Sequence, residues 1–390
     1  MIDLTSSTGS ASSFWSLPMD HRLTWIYRII VLGLLTQVLL SWPLWWKIKT
    51  VVSYLPIFTF FDGWLEESYF VVFPLFLLLT ILSLFFPNKS VLTKLLLVTG
   101  LILVIGNIHR LQVWFYFYGL LLFLFVWKKK ITDESIFFTI RFVLVGVYVW
   151  SGLHKFNIHF EDIIFHWLFE PLGVKFPSWM SYVPGGVELL IGIGLIFNST
   201  RHLSVFSCLL FHGIILGLLG PLGHNWNIVV WPWNLVMPIL VFLLFFKTKY
   251  LDLKNSRASL FTFFPVVMVL ILVWILPVFN YFGFTPEQLS FKMYAGSNPE
   301  IVLYFGEKDR SLVGKHPTIH KPLPSSSLPN YRVVLDDIAF AEWGTPFFLT
   351  ESTARKIGKQ FCDKMQSPKD GGILYLINDD FIRIPCEEVQ

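Results

Sequence analysis

The sequence has few charged residues, because Asp, Glu, Lys and Arg together make up 14% of its 390 residues, whereas a soluble domain contains roughly 25%. Hydrophobic residues make up 54%, and 40 positions are phenylalanine. A soluble fold has no interior large enough for this apolar fraction, and the same composition excludes disordered and collagen-like chains. Cysteine is also scarce, and its three residues exclude a disulfide-rich scaffold.

What the sequence has instead is a series of apolar runs close to the roughly 20 residues that cross a bilayer as a helix, with a mean hydropathy of +0.62. We therefore predict an all-α polytopic membrane bundle. Its nine expected spans are Leu23 to Trp42, Tyr69 to Phe86, Val91 to Ile105, Leu111 to Trp127, Ile136 to Leu153, Val183 to Phe197, His202 to Leu219, Ile228 to Phe246 and Leu260 to Phe279.

The basic residues lie mainly in the short connections between these runs, which favours a membrane partner over a nucleic acid. The N-terminal segment and every second loop carry ten of them: Arg22, Lys89, Lys128, Lys129, Lys130, Arg201, Lys247, Lys249, Lys254 and Arg257. The alternate loops carry five: Lys47, Lys49, Arg110, Lys155 and Lys175. The positive-inside rule then places the N-terminus in the cytoplasm and, after nine spans, the C-terminus outside the cell (inner or plasma) membrane.

The composition changes after Phe279, and we expect three regions: a cytoplasmic N-terminal segment (1–22), a transmembrane domain (23–283) and a small α+β extracytoplasmic domain (284–390). Residues 1–22 are polar and Ser-rich, so the first span is expected to stay as an uncleaved anchor. In the last region we predict strands at 301–305, 333–335, 373–377 and 381–384, a helix from Ser352 or Thr353 to about Met365, and an exposed loop at 321–330.

Two of the three cysteines, Cys362 and Cys386, fall in this last region, where an oxidising compartment permits a disulfide. Their spacing leaves two buried free thiols equally open. The third, Cys208, lies in a span, and no CxxC or Cys/His set suggests a metal site.

Ionisable and amide groups inside a membrane are costly, and they mark sites of function. Five of them fall near the outer ends of neighbouring spans and are expected to line one outward-facing cavity: Lys155, Glu188, His212, Asn227 and Asn234. Each also has an ordinary explanation. A lysine at a helix end often snorkels to the interface, Glu188 can simply pair with Lys155 or Arg110, and His212 can be hydrogen-bonded between helices.

One stretch of the chain resembles a known family. Tyr148 to Phe156, His166 to Pro171 and the Phe211-His212 pair are similar to the core of the vitamin K-dependent gamma-carboxylases, which belong with the horizontally transferred transmembrane (HTTM) domain proteins. The carboxylase segment small-Gly-aliphatic-Lys-Lys matches residues 151–155, with Lys155 on the second lysine and His154 in place of the first. A more distant likeness reaches the DoxX-like membrane proteins.

The resemblance implies that Lys155 is a base toward a reduced quinone (menaquinone or vitamin K-like) and that His212 lies near the reaction chamber. Desolvation in an apolar pocket is what makes a lysine a useful base. Trp150 and Trp167 are expected in that pocket's wall. Glu188, Asn227 and Asn234 complete the predicted quinone-binding set, and the amides or His212 would orient the ring oxygens.

Three hypotheses remain open from the sequence. The first is a quinol-linked enzyme of the carboxylase or monooxygenase kind, with Lys155 as its base. The second is a DoxX-like quinone-binding electron-transfer protein without carboxylation. The third is a non-catalytic membrane scaffold or carrier.

Overall fold

A computed structural model describes residues 14–46, 55–58, 64–87, 89–248, 263–296, 300–313, 331–377 and 380–388. The loop predicted at 321–330 and the first residues of the ninth expected span, 260–262, lie outside these ranges.

Helices occupy every predicted span within the described residues. They are α1 (Met19–Leu40), the short α2 (Trp42–Trp45), α3 (Trp64–Phe85), α4 (Ser90–Gly106), α5 (Val113–Val126), α6 (Asp133–Leu153), the short α7 (His166–Phe169), α8 (Tyr182–Ile196), α9 (Arg201–Leu219), α10 (Trp231–Phe245) and α11 (Phe264–Trp274).

The predicted fold class is confirmed, but fewer helices than nine have the full span length. Among the described residues, six are long and apolar enough to cross a membrane by length and composition: α1, α6, α9, and α8, α10 and α11 together with their adjoining helical turns. The apolar parts of α3, α4 and α5 are shorter. Helix α4 has 17 residues, and it exposes an apolar face that includes Val91, Leu95, Val98 and Leu101.

The first described residues and the C-terminal domain lie at opposite ends of the bundle. Trp15 packs against Phe242 and Phe246 at the end of α10. At the other end of the bundle, Gln112 beside the start of α5 donates to the Pro346 carbonyl at 3.0 Å, and the Phe348 amide donates to His109 at 3.1 Å. The C-terminal domain therefore packs on the end of the bundle opposite to Trp15.

Helices α6 and α8 pack closely together, and small residues make this possible. Gly152 of α6 lies against the backbone of α8 at Gly185 and Leu189. Gly192, seven residues further along α8, lies against Val149. Glycines let helix backbones approach closely in membranes, where van der Waals packing replaces the hydrophobic driving force.

The C-terminal domain is a four-stranded antiparallel sheet with two helices. Its strands are β1 (Glu300–Phe305), β2 (Tyr331–Val334), β3 (Gly372–Ile377) and β4 (Asp380–Pro385), in the order β2-β1-β3-β4. Helix α13 (Glu351–Cys362) begins one or two residues earlier than predicted, because Thr350 is its cap and Thr353 returns the hydrogen bond in a capping box. The sequence interpretation missed α12 (Leu335–Trp343), which starts where a strand was expected to end.

Cys362 and Cys386 form a disulfide across 24 positions of sequence. It ties the end of α13 to the residue after β4. Cys208 is a buried free thiol.

Candidate functional site

Tyr148 and Ser151 of α6, and Lys155 two residues after its end, lie on one face, because they are three and four residues apart. The close packing of α6 on α8 brings this face to Glu188. Ser151, Lys155 and Glu188 are each 7% exposed. The sequence thus places an ion pair at the packed interface between two membrane helices.

All three hydrogens of the Lys155 ammonium group have hydrogen-bond acceptors. Nζ lies 2.6 Å from Oε2 of Glu188, 3.0 Å from Oγ of Ser151 and 3.1 Å from the Ser151 carbonyl oxygen. Three acceptors match the three hydrogens of a charged lysine. The Ser151 hydroxyl in turn donates to Oε2 of Glu188 at 3.0 Å.

Glu188 keeps one oxygen for other partners. Both hydrogen bonds that it makes within the described residues use Oε2, so Oε1 is available to a molecule beside it. Of the two alternatives left open by the sequence, the partner of Glu188 is Lys155. Arg110 instead donates to the carbonyls of Leu44, Trp45 and Leu103.

A second hydrogen-bonded chain runs through His212 on α9. Its Nδ1 lies 2.8 Å from Oδ1 of Asn234, and its Nε2 lies 2.7 Å from the Tyr148 hydroxyl. The Asn234 amide donates from Nδ2 to the Val230 carbonyl at 3.0 Å, which fixes its oxygen toward His212. His212 therefore donates from Nδ1 to Asn234, and its Nε2 is placed to accept from the Tyr148 hydroxyl. The Tyr148 hydroxyl also lies 3.1 Å from Sγ of Cys208.

Both chains border one cavity of about 400 Å³, a size typical of small-molecule sites. Its polar wall contains Ser151, Lys155, Glu188, His212 and Asn234. The rest of the wall is mainly apolar and includes Phe160, Ile164, Trp167, Leu168, Phe169, Val183, Val187, Leu210, Phe211, Ile214, Ile215, Leu218, Val230, Trp233 and Met293.

The cavity reaches the surface of the bundle among α7, α8 and α9. Three of its wall residues are well exposed: Val183 at 43%, Leu210 at 67% and Ile214 at 46%. Leu210 is ten residues before Gly220, which is about 15 Å along a helix. The opening therefore lies on the side of the bundle and not at its end.

Two predicted site residues lie elsewhere. Trp150 is on another face of α6, where its ring packs near His154 at 5.9 Å. Asn227 donates to the Tyr294 hydroxyl at 2.7 Å and borders a second cavity, described below. The structure therefore brings together Lys155, Glu188, His212 and Asn234 from the predicted set.

Three polar residues of the site escaped the sequence interpretation: Tyr148, Ser151 and Cys208. A helical spacing signal was available for each, since Tyr148 and Ser151 precede Lys155 by seven and four residues, and Cys208 precedes His212 by four. Within the described residues, no three His, Cys, Asp or Glu side chains come together in a way that could hold a metal ion.

These features define a multi-pass helical membrane protein with a buried polar centre in an otherwise apolar cavity. Comparison with protein families adds a match of residues 136–221 to the family model described as DoxX. The matched stretch runs from α6 to the end of α9, so it contains Lys155, Glu188 and His212. It supports the DoxX-like part of the resemblance and not its carboxylase or HTTM part. Searches of curated proteins and of solved structures found no match.

Proposed function

We propose that this protein binds a membrane quinone or quinol in the cavity formed by α6 to α10. The observation that carries the proposal is the pairing of an apolar cavity, open on the side of the bundle, with two buried hydrogen-bonded chains at one end. A quinone has this character, because its ring and tail are apolar and its oxygens are polar. The DoxX match agrees with such a role in a multi-pass membrane protein.

The hydrogen bonds within the protein determine which side-chain atoms are available to bind the ring oxygens of the quinone. Lys155 has no hydrogen left to give, so the first contact is Oε1 of Glu188, which accepts a hydrogen bond from a quinol hydroxyl. The Lys155 ammonium beside it, at 2.6 Å, stabilises the carboxylate that does so. Lys155 thus acts through Glu188, which refines its expected role as the base.

His212 acts as a positioning residue in this proposal. Both ring nitrogens are engaged, by Tyr148 and by Asn234. The second hydrogen on Nδ2 of Asn234 is not needed by Val230, and it is suited to donate to the other ring oxygen. A bound quinone would supply two-electron redox chemistry, for which the surrounding side chains hold and exchange the protons.

The experiment is mass spectrometry of lipid extracted from protein purified in mild detergent from a quinone-containing membrane. We expect roughly one quinone per wild-type protein, and a loss of at least tenfold in Lys155→Met. Leu210→Trp, which fills the cavity entrance, should have the same effect. Its matched control is Leu190→Trp, because Leu190 is also 67% exposed but is not in the cavity wall. Lys175→Met, which removes an exposed lysine, is the control for charge.

The proposal fails if the wild type carries no quinone, or if Lys155→Met and Leu210→Trp both retain it. In that case the scaffold or carrier hypothesis gains weight. The carboxylation implied by the family resemblance stays a prediction, and incorporation of labelled carbon dioxide by quinol-loaded protein tests it separately.

We also propose that the C-terminal domain lies outside the cytoplasm. The bias of basic residues toward the N-terminal side supports this orientation. The Cys362–Cys386 disulfide agrees with an oxidising compartment. A C-terminal alkaline phosphatase fusion should be active, and an inactive fusion together with a fluorescent C-terminal GFP fusion would contradict the orientation.

A further inference from the structure

A second cavity, of about 350 Å³, lies between the membrane bundle and the C-terminal domain. It adjoins the first, because Ile164, Val230, Met293 and Tyr294 border both. Its chemistry is different. Three carboxyl groups, those of Glu287, Glu300 and Asp336, line it together with a single basic side chain, Lys292, which pairs with Glu287 at 2.8 Å.

Two amides add further acceptors. Gln288 donates from Nε2 to the Phe347 carbonyl at 3.3 Å, and Asn227 donates from Nδ2 to the Tyr294 hydroxyl at 2.7 Å. Because a carbonyl only accepts, the bond to Phe347 fixes the Gln288 amide with its oxygen on the other side. The Asn227 amide also has its oxygen on the side away from Tyr294. Both oxygens are buried and have no hydrogen-bond partner among the described residues, as is also the case for the Thr345 hydroxyl. Gln288 is 8% exposed and Thr345 is 2% exposed.

Buried polar atoms without a partner are costly, about 1 to 3 kcal/mol each, and they are commonly satisfied by a bound molecule. In this cavity the unmet need is for donors, since carboxylate and amide oxygens only accept. The remaining walls are mainly apolar and include the aromatic rings of Trp226, Phe340 and Phe347. Aromatic faces attract organic cations and cover their apolar carbons.

We propose that this second cavity binds a small organic amine, in its ammonium form, from the aqueous side of the membrane. The ammonium group donates to Asp336 and Glu300, and further N–H groups meet the oxygens of Gln288 and Asn227. A neutral alcohol supplies too few hydrogens, and an anion is repelled by the carboxylates. The site is distinct from the quinone cavity, and its occupancy needs no quinone.

The test uses full-length protein in lipid nanodiscs at pH 8, titrated with 1,4-diaminobutane by isothermal calorimetry. We expect saturable binding, with 1,4-butanediol and succinate at least tenfold weaker. Asp336→Asn and Glu300→Gln should each weaken diamine binding at least tenfold, and Gln288→Met several-fold. Glu351→Gln removes a carboxylate from the exposed start of α13, and it should bind diamine as the wild type does.

Three results would overturn the proposal. The first is no diamine binding to the wild type. The second is equal binding of the diol, which would mean that charge plays no part. The third is wild-type affinity in Glu300→Gln and Gln288→Met. These two variants keep the hydrogen bond of Asp336 to the Phe347 amide, so the test does not depend on how Asp336→Asn folds.

Discussion

The carbonyl oxygen of Gly185 lies 2.7 Å from the point that a Cβ atom on Gly152 would occupy. This contact between α6 and α8 holds two backbones close together. Lys155 is three residues after Gly152, and Glu188 is three residues after Gly185. The ion pair of the candidate site is therefore set by a glycine contact one turn away.

Gly152→Ala should force α6 and α8 apart, because its Cβ would also lie 2.6 Å from the Leu189 nitrogen. Overpacking of this kind costs about 1 to 3 kcal/mol. Gly186→Ala is the matched control, since nothing lies within 4 Å of its Cβ position. We expect the unfolding temperature in detergent to fall in Gly152→Ala and not in Gly186→Ala. Equal temperatures in all three proteins would contradict this account of the interface.

Replacing one partner of the buried Lys155–Glu188 pair should lower the free energy of unfolding more than replacing both. Lys155→Met and Glu188→Leu each leave one uncompensated charge in a low-dielectric site, which costs about 3 to 5 kcal/mol. The double variant leaves none, so it should be more stable than either single variant. A double-mutant cycle by thermal unfolding measures this coupling. Additive effects would show that the two groups do not interact.

The exposed pair of Glu351 and Arg355 is the comparison for that cycle. Its separation is similar, at 2.8 Å, but both side chains are about half exposed. Solvent screens such pairs, so their contribution is small. Glu351→Gln should leave the unfolding temperature nearly unchanged.

His212 should carry its proton on Nδ1. Asn234 presents only an oxygen to Nδ1, and the Tyr148 hydroxyl is free to donate to Nε2. ¹⁵N NMR of histidine-labelled protein distinguishes the two tautomers, and His212→Gln assigns the signal. We expect the Nδ1–H form in the wild type and a mixture in Asn234→Leu. A wild-type signal from the Nε2–H form would be incompatible with the proposed chain.

Two carboxyl groups of the second cavity have unusual acidity. Burial raises the pKa of Glu287 to about 7, although Lys292 acts in the opposite direction. Burial also raises the pKa of Asp336 to about 7, and the charges of Glu300 and Asp337 add to this effect while the Phe347 amide opposes it. Asp336 in turn adds to the shift of Glu287. Burial raises the pKa of Tyr375 on β3, and the charges of Glu351 and Glu287 raise it further.

These shifts predict that stability falls as pH rises from about 4 to 7. Unfolded carboxyls have a pKa near 4, so the folded protein binds more protons than the unfolded protein in this window, and raising the pH favours unfolding. Above pH 7 the effect should level off. The double variant Glu287→Gln, Asp336→Asn should flatten the profile between pH 5 and 7. Parallel profiles of wild type and double variant would show that these groups are not responsible.

Hydropathy alone predicted the helices of the membrane domain, because each long apolar run has few ways to satisfy its backbone in lipid except as a helix. Lys155, Glu188, His212 and Asn234 were visible in the sequence for the related reason that polar side chains are rare in such runs. The contacts of the loop between α4 and α5 with the C-terminal domain, through His109 and Gln112, were not predictable from hydropathy.

Which polar residues share a wall depended on helix rotation. Trp150 is two residues from Tyr148, so it points to a different side of α6, and the likeness to a motif could not reveal this. Asn227 comes before α10 in a left-handed backbone conformation, with φ of 48°, which directs it to the second cavity. That cavity is assembled from loops and domain contacts, for which the sequence has no periodic signal.

The 17 residues of α4 span about 25 Å, which is less than the roughly 30 Å of a typical hydrocarbon core. Lys94, one turn into the helix, is exposed and shortens the apolar part further. Lipids beside α4 must therefore compress, whereas those beside the 22-residue α1 need not. The protein should thin the bilayer on one side only, and its stability should be higher in lipids with short acyl chains than in lipids with long ones.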